Sequence, residues 1–213
     1  VTGSLFQPLA NVSRVRALFV PRLADVDVDA DREDALRRLA PVHMACLHES
    51  GFDPKLLATA EQVHGGEVAI VRGPGSHAGV DALVTNDPGV VLGIYVADCA
   101  AVYVADRHGR AVGLIHSGRA GTTAGITART IALLQEQFGI IPDDLVVEIS
   151  PCIRPPLYQT DFAVEIAVQA QAAGVKKIID VGICTGREVG HYYSYRVERG
   201  RTGRMLAALQ ILS

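Results

Sequence analysis

Two histidines and one cysteine carry the most chemistry in this chain. His64, Cys99 and His116 stand in the segments EQVHGGE, YVADCAA and GLIHSGRAG. Two imidazoles and a thiolate make a three-donor set for a transition metal, with zinc the first expectation and copper possible. Three protein donors leave a fourth position open for water or substrate, the pattern of a catalytic site. The separations of 35 and 17 residues match no compact zinc signature. Taken singly, Cys99 reads equally as a small core residue and His64 as a surface loop residue. A cysteine hydrolase, with Cys99 as nucleophile and His116 as base, is a further reading of the same pair.

The three donors must be positioned by the elements around them. Residues 14–20 read as a strand. Residues 29–49 read as a helix, favoured at its N-terminal end by Asp31, Glu33 and Asp34. Short strands over 56–63 and 67–71 flank the His-Gly-Gly turn, and 72–80 is a Gly- and Pro-rich loop. Residues 90–97, 101–105 and 111–115 are solid apolar runs suited to strands covered on both faces. Cys99 falls at the bend between the first two, and His116 closes the third. A helix over 122–138 ends at Gly139. A strand over 145–149, a helix over 161–173 and strands over 178–181 and 205–212 complete the chain. Strands and helices intermix, and the short turns between central strands argue for mixed sheets. The expected fold class is α/β (α+β): a single layered domain over 1–213, with mixed sheets flanked by helices.

Composition narrows the function. The chain has 213 residues, 49% apolar, enough for one substantial core. Its net charge of −3 and the lack of a strong Lys/Arg cluster give no case for nucleic acid. No apolar run reaches the ~18–20 residues of a bilayer span, so no membrane is expected. The first twenty residues lack the charged-then-apolar order of a secretory signal, which predicts a cytoplasmic location. Cys46, Cys99, Cys152 and Cys184 are widely spaced and read as free thiols.

Several ordered strings resemble the YfiH-like family, also called the laccase-domain or multicopper polyphenol oxidase family. Gln62-Val63-His64-Gly65 is similar to its QVHG segment, Ala97-Asp98-Cys99 to its T-x-ADC segment, and His116-Ser117-Gly118-Arg119-Ala120-Gly121 to its HAGWRG segment. Asp81-Ala82-Leu83-Val84-Thr85 matches a D-A-L-hydrophobic-T string. Ser150-Pro151-Cys152-Ile153 through Tyr158 resembles GPxI…Y. Cys184-Thr185, Ser194-Tyr195-Arg196 and Thr202-Gly203-Arg204 resemble a C-terminal CT…SxR…TGR pattern. The resemblance covers roughly 55–213, and ordered motifs are far more specific together than singly.

The resemblance implies that His64, Cys99 and His116 bind zinc. It also implies action on purine nucleosides: phosphorolysis of adenosine, inosine and methylthioadenosine, and deamination of adenosine. The partners are then a purine nucleoside and phosphate, with the chain a monomer or homodimer. Deamination asks for a water activated near neutrality, as a His₂Cys zinc provides, and for a proton carrier. Asp98 is the candidate, or equally a carboxylate that fixes its turn. Phosphorolysis asks for an anion site, and Gly118, Arg119 and Gly121 at the helix start are the candidates. Copper oxidase chemistry is less favoured, because one three-donor site lacks the several coppers that four-electron reduction of dioxygen needs. The sequence departs from the family pattern at HSGRAG, where Arg119 replaces Trp and Ala120 replaces Arg. The R-x-GGVS and SLN-like segments are absent. These departures leave open a divergent, non-catalytic zinc-containing relative that binds a metabolite. His191, Tyr192, Tyr193 and Tyr195 form an aromatic cluster that walls a pocket or packs a strand. Arg196 and Arg204 bind an anion or pair with carboxylates.

Overall fold

Long runs of Val, Ile, Leu and Ala fold as strands buried on both faces, and the computed structural model, which describes residues 6–212, builds two sheets from them. In chain order the elements are β1 (Val15–Val20), α1 (Arg32–Glu49), β2 (Leu57–Ala60), β3 (Val68–Ile70), β4 (Gly75–His77), β5 (Ala82–Thr85), β6 (Val91–Val96), β7 (Ala100–Asp106), β8 (Val112–Ser117), α2 (Arg119–Thr123), α3 (Ile126–Phe138), β9 (Leu145–Ile149), α4 (Phe162–Ala172), β10 (Lys177–Asp180) and β11 (Met205–Ile211). The first sheet runs β1-β11-β6-β2-β4 and the second β10-β9-β7-β8-β5-β3. Both are mixed, as expected. β11 lies antiparallel between β1 and β6, while β2 is parallel to β6 and β4. The β7–β8 hairpin sits antiparallel between β9 and β5, with β10 and β3 parallel at the edges.

Alternation along each strand assigns its side chains to two cores. On β7, Ala101, Tyr103 and Ala105 face the first sheet, where they meet Leu92, Ile94 and Ala207. Val102 and Val104 face the opposite way, towards Ile131 and Leu134 of α3 and Ile166 of α4. α1 closes the outer face of the first sheet through Leu47, packed with Val91 and Leu206. The order is therefore helix, sheet, sheet, helices.

Three boundaries differ from expectation for physical reasons. The helix expected over 122–138 is two helices, because Gly125 adopts φ +73° and breaks the ladder between α2 and α3. α1 begins at Arg32 rather than 29, since the Asp31 side chain caps it by accepting from the Asp34 amide. The loop over 72–80 contains a short edge strand, β4, which pairs with β2. All four cysteines are free. Among the described residues no helix is long and apolar enough to cross a membrane.

Candidate metal centre

Strand register brings the donors together. β7 and β8 pair with Ala101 opposite His116, which puts Cys99, one residue before β7, beside that imidazole. β5 pairs on the other side of β8 with Ala82 opposite Ile115, and the His116 amide donates to the Asp81 carbonyl at 2.7 Å. The donor atoms of His64, Cys99 and His116 all lie within 4.8 Å of one another. Zinc bonds of about 2.0–2.3 Å put tetrahedral donors roughly 3.5 Å apart, so the set is near closure. His64 is the exposed member.

Asp81 is the organising residue. Its Oδ1 is hydrogen-bonded to His116 Nδ1 at 2.7 Å, which leaves the other ring nitrogen for a metal. The same carboxylate accepts from the backbone N–H groups of His64 at 2.9 Å and Gly65 at 2.7 Å. One buried side chain thus orients one donor and pins the turn that carries another. Sequence reasoning placed Asp81 in a matching string but gave it no role.

Of the six described non-glycine residues at positive φ, four line the cavity around these donors (Gln62, His64, Asp98 and Arg199), while Leu9 and Arg14 lie elsewhere. Gln62, His64 and Asp98 hold φ of +65°, +63° and +79°, a region that non-glycine residues rarely enter. Each is held by hydrogen bonds. The Gln62 side-chain amide donates to the Tyr95 carbonyl at 2.6 Å and accepts from the Tyr95 amide at 2.9 Å. Asp98 accepts from Thr185 Oγ1 and from the Arg196 amide, both at 2.7 Å, and its carbonyl accepts from the Ile153 amide at 2.8 Å. Both carboxylate oxygens of Asp98 are therefore engaged.

Glycines permit the close approach of the three segments. A Cβ on Gly118 would lie 2.5 Å from Cys99 Sγ, and one on Gly121 would lie 3.1 Å from the Gly65 carbonyl oxygen. Gly66 similarly faces the Ala124 methyl at 2.9 Å. Gly118 lines the cavity together with Arg119, whereas Gly121 lies buried behind it against the HGG turn.

Burial alone would raise the Cys99 thiol, but the His116 charge and hydrogen bonds from both imidazoles outweigh it and bring the pKa to about 6. Burial pushes His116 down, and Cys99 and Asp81 together lift it to about 9. The pair favours a thiolate and an imidazolium sharing one site, and a bound metal would replace the proton between them. Thiolate, carboxylate-held imidazole and exposed imidazole would suit zinc as a donor set.

The donors sit in a cavity of about 800 Å³ lined also by Gln62, Tyr95, Asp98, Tyr158, Phe162 and Tyr195, and by arginines 32, 119, 196, 199 and 204. Of the aromatic cluster, Tyr195 walls the cavity, while Tyr192 and Tyr193 are buried packing residues and His191 is exposed. Sequence reasoning gave no role to Arg32, Tyr95 and Arg199; Arg32 and Arg199 stand outside every string it used, and Tyr95 opens YVADCAA.

The family model described as multi-copper polyphenol oxidoreductase laccase matches residues 12–172 and 160–212. The purine nucleoside phosphorylase YlmD of Geobacillus stearothermophilus is 31% identical over 189 residues, 69% of each protein. The purine nucleoside phosphorylase ORF3 of Streptomyces griseus is 32% identical over 207 residues, 84% of this chain and 79% of that protein. The crystal structure of G. stearothermophilus YlmD superposes with a TM-score of 0.85 at 25% identity, covering 95% of this chain and 93% of that one. A Bacillus licheniformis protein, YfiH, shares the fold at a TM-score of 0.75 and 22% identity, covering 82% of this chain and 81% of that one. Matches over nearly the whole length, on a fold that gathers the same motif residues around one cavity, mean that this chain belongs to the YfiH-like, multi-copper polyphenol oxidoreductase laccase family.

Proposed function

We propose that this chain is a zinc-dependent purine nucleoside phosphorylase acting on adenosine, inosine and methylthioadenosine, with deamination of adenosine as a lesser activity of the same site. The observation that carries the reading is the convergence of His64, Cys99 and His116 on the floor of a cavity walled by aromatic rings and arginines. The printed names of the relatives support it. The two sheets share one core, which supports treating residues 1–213 as one domain.

His64, Cys99 and His116 would hold the zinc, which when bound supplies Lewis-acid charge beside the reacting atoms. In phosphorolysis a phosphate oxygen bonds to ribose C1′ while the C1′–N bond breaks, and its electron pair leaves with the base, which takes up a proton. Arg119 follows Gly118 at the cavity wall beside Cys99 and presents a planar fork for the phosphate. Tyr158 and Phe162, edge to face at 5.8 Å, offer an apolar wall for the base. Asp81 fixes the ring of His116. Asp98 has no free oxygen, which supports a positioning role in the Cys99 turn over the proton transfer that deamination requires.

The test is base release from the three nucleosides by zinc-loaded protein, with and without inorganic phosphate, following ribose 1-phosphate and ammonia. Phosphate-dependent release of base is expected. No base from any of them, with about one zinc per chain, would overturn the reading. The Asp81–His116–Cys99 alignment also favours a cysteine hydrolase. That reading requires fast alkylation of Cys99 in zinc-loaded protein, and protection by zinc would rule it out.

A further inference from the structure

The cavity has more positive charge than one phosphate can match. Arg32, Arg119, Arg196, Arg199 and Arg204 all line it. Among the described residues none of them forms an ion pair, whereas Arg22, Arg110, Arg154 and Arg201 elsewhere each meet a carboxylate. The partners of the cavity arginines are neutral. Arg32 donates to the Glu61 carbonyl at 3.1 Å, and Arg204 to the carbonyls of Thr202 and Gly203, each at 2.8 Å. The Arg196 and Arg204 guanidiniums lie 5.1 and 5.8 Å from the rings of Tyr158 and Tyr195. Asp98, the acidic residue in the lining, has both oxygens engaged.

Arg204 is the most telling of the five. It is only 7% exposed and opens into the cavity without a counter-ion. A buried, unpaired guanidinium is costly unless something supplies the opposite charge. Burial, then the Arg32 charge, hold its pKa below the ordinary value against the opposing charges of Tyr195, Cys99 and Asp98. Arg32 and Arg204 occupy the wall formed by the start of α1 and the segment before β11, whereas Arg119 opens α2. A phosphate group carries about −1.5 to −2 charges near pH 7. The inorganic phosphate of phosphorolysis, held at Arg119, leaves Arg32, Arg196, Arg199 and Arg204 without an ion pair.

We infer that the cavity takes a purine nucleotide, a nucleoside with a phosphate on the ribose 5′ oxygen, and that Arg32 and Arg204, with Arg199 at the rim, receive that phosphate. The purine rests on the function proposed above, and the phosphomonoester rests on the arginines.

The experiment compares binding of AMP and adenosine to zinc-loaded protein by calorimetry, at several salt concentrations. AMP should bind at least about tenfold more tightly, as charge-assisted hydrogen bonds predict, with the preference shrinking as salt rises. It should fall to about twofold or less in Arg32→Gln/Arg199→Gln, two exposed positions, as these hydrogen bonds are lost. It should persist in Arg72→Gln, which removes an exposed arginine outside the cavity. Equal affinities would overturn the inference, and so would a preference that survives the double substitution. So would adenosine with saturating inorganic phosphate binding as tightly as AMP, because the arginines would then hold free phosphate. Inosine phosphorolysis on the same preparation separates the two proposals. Turnover without an AMP preference removes the nucleotide alone. An arginine-dependent AMP preference without base release removes the phosphorylase reading alone.

Discussion

β7 and β8 carry opposite electrostatics at their two ends. At the far end, the turn from Asp106 to Ala111 closes on itself. Asp106 accepts from the Arg110 guanidinium at 2.9 and 2.7 Å and from the amides of His108 and Arg110 at 3.2 and 3.0 Å. Arg107 and Arg110 also reach Asp144, at 2.5 and 2.9 Å. At the near end, the same strands reach a thiolate, two imidazoles and arginines without ion pairs. A closed network finishes a fold. Strain and open charge gathered in one place describe a surface completed by something that binds to it.

Substitutions at the two ends test that contrast. Cys99→Ser should do the most damage, removing bound zinc and turnover together, beyond the 10–100-fold loss expected when only an outer partner of a metal ligand goes. Elemental analysis and the nucleoside assay read both. Asp81→Asn should weaken zinc affinity by about 10–100-fold, since the ring of His116 and the His64 turn both lose their anchor. A competing chelator measures it, and unchanged affinity would refute the organising role of Asp81. Gly118→Ala forces a methyl against Cys99 Sγ and should cost roughly 1–3 kcal/mol of stability as an overpacked site, together with reduced zinc affinity.

Asp106→Asn probes the far end. Its expected cost is about 1–3 kcal/mol at pH 7, from loss of a buried acceptor, with zinc content intact. Burial opposes ionisation of Asp106, but its bonds to Arg110 prevail and hold its pKa below the ordinary carboxylate value. A carboxylate depressed in the folded state contributes fully above its unfolded pKa of about 3.9. That contribution is lost as pH falls through the lower folded value. The denaturation curves of parent and variant should therefore converge below about pH 4 and separate above it. Loss of zinc in Asp106→Asn would break the division between the ends.

The grouping of His64, Cys99 and His116 was legible because the chemistry of these residues is written in residue type and local string. The mixed sheets were legible from the short turns between the apolar runs that become β6, β7 and β8. The rest depends on distance relations that a string does not carry. Asp81 is seventeen residues from His64 and thirty-five from His116, and only the β5–β8 register makes it their common partner. Arg196 and Arg204 stood undecided between ligand and ion pair, because the absence of a carboxylate partner is a property of the assembled surface. The break at Gly125 escaped because the apolar face of Ile126, Thr130, Ile131 and Leu134 begins only after it and carries no mark of where the helix starts, while the left-handed φ at Gly125 is a backbone property.

The place of β11 bears on how the molecule is made. It is a central strand of the first sheet, between β1 and β6, yet it follows every other strand in the chain. During synthesis the second sheet, drawn from residues 68–180, and the metal donors at 64, 99 and 116 are available first. β1 and β6 must wait with open edges until the last strand is inserted between them. The arginines at 196, 199 and 204 arrive immediately ahead of that strand. The residues that would hold a metal therefore emerge before the wall of the cavity is complete, and β11 supplies the last strand behind that wall.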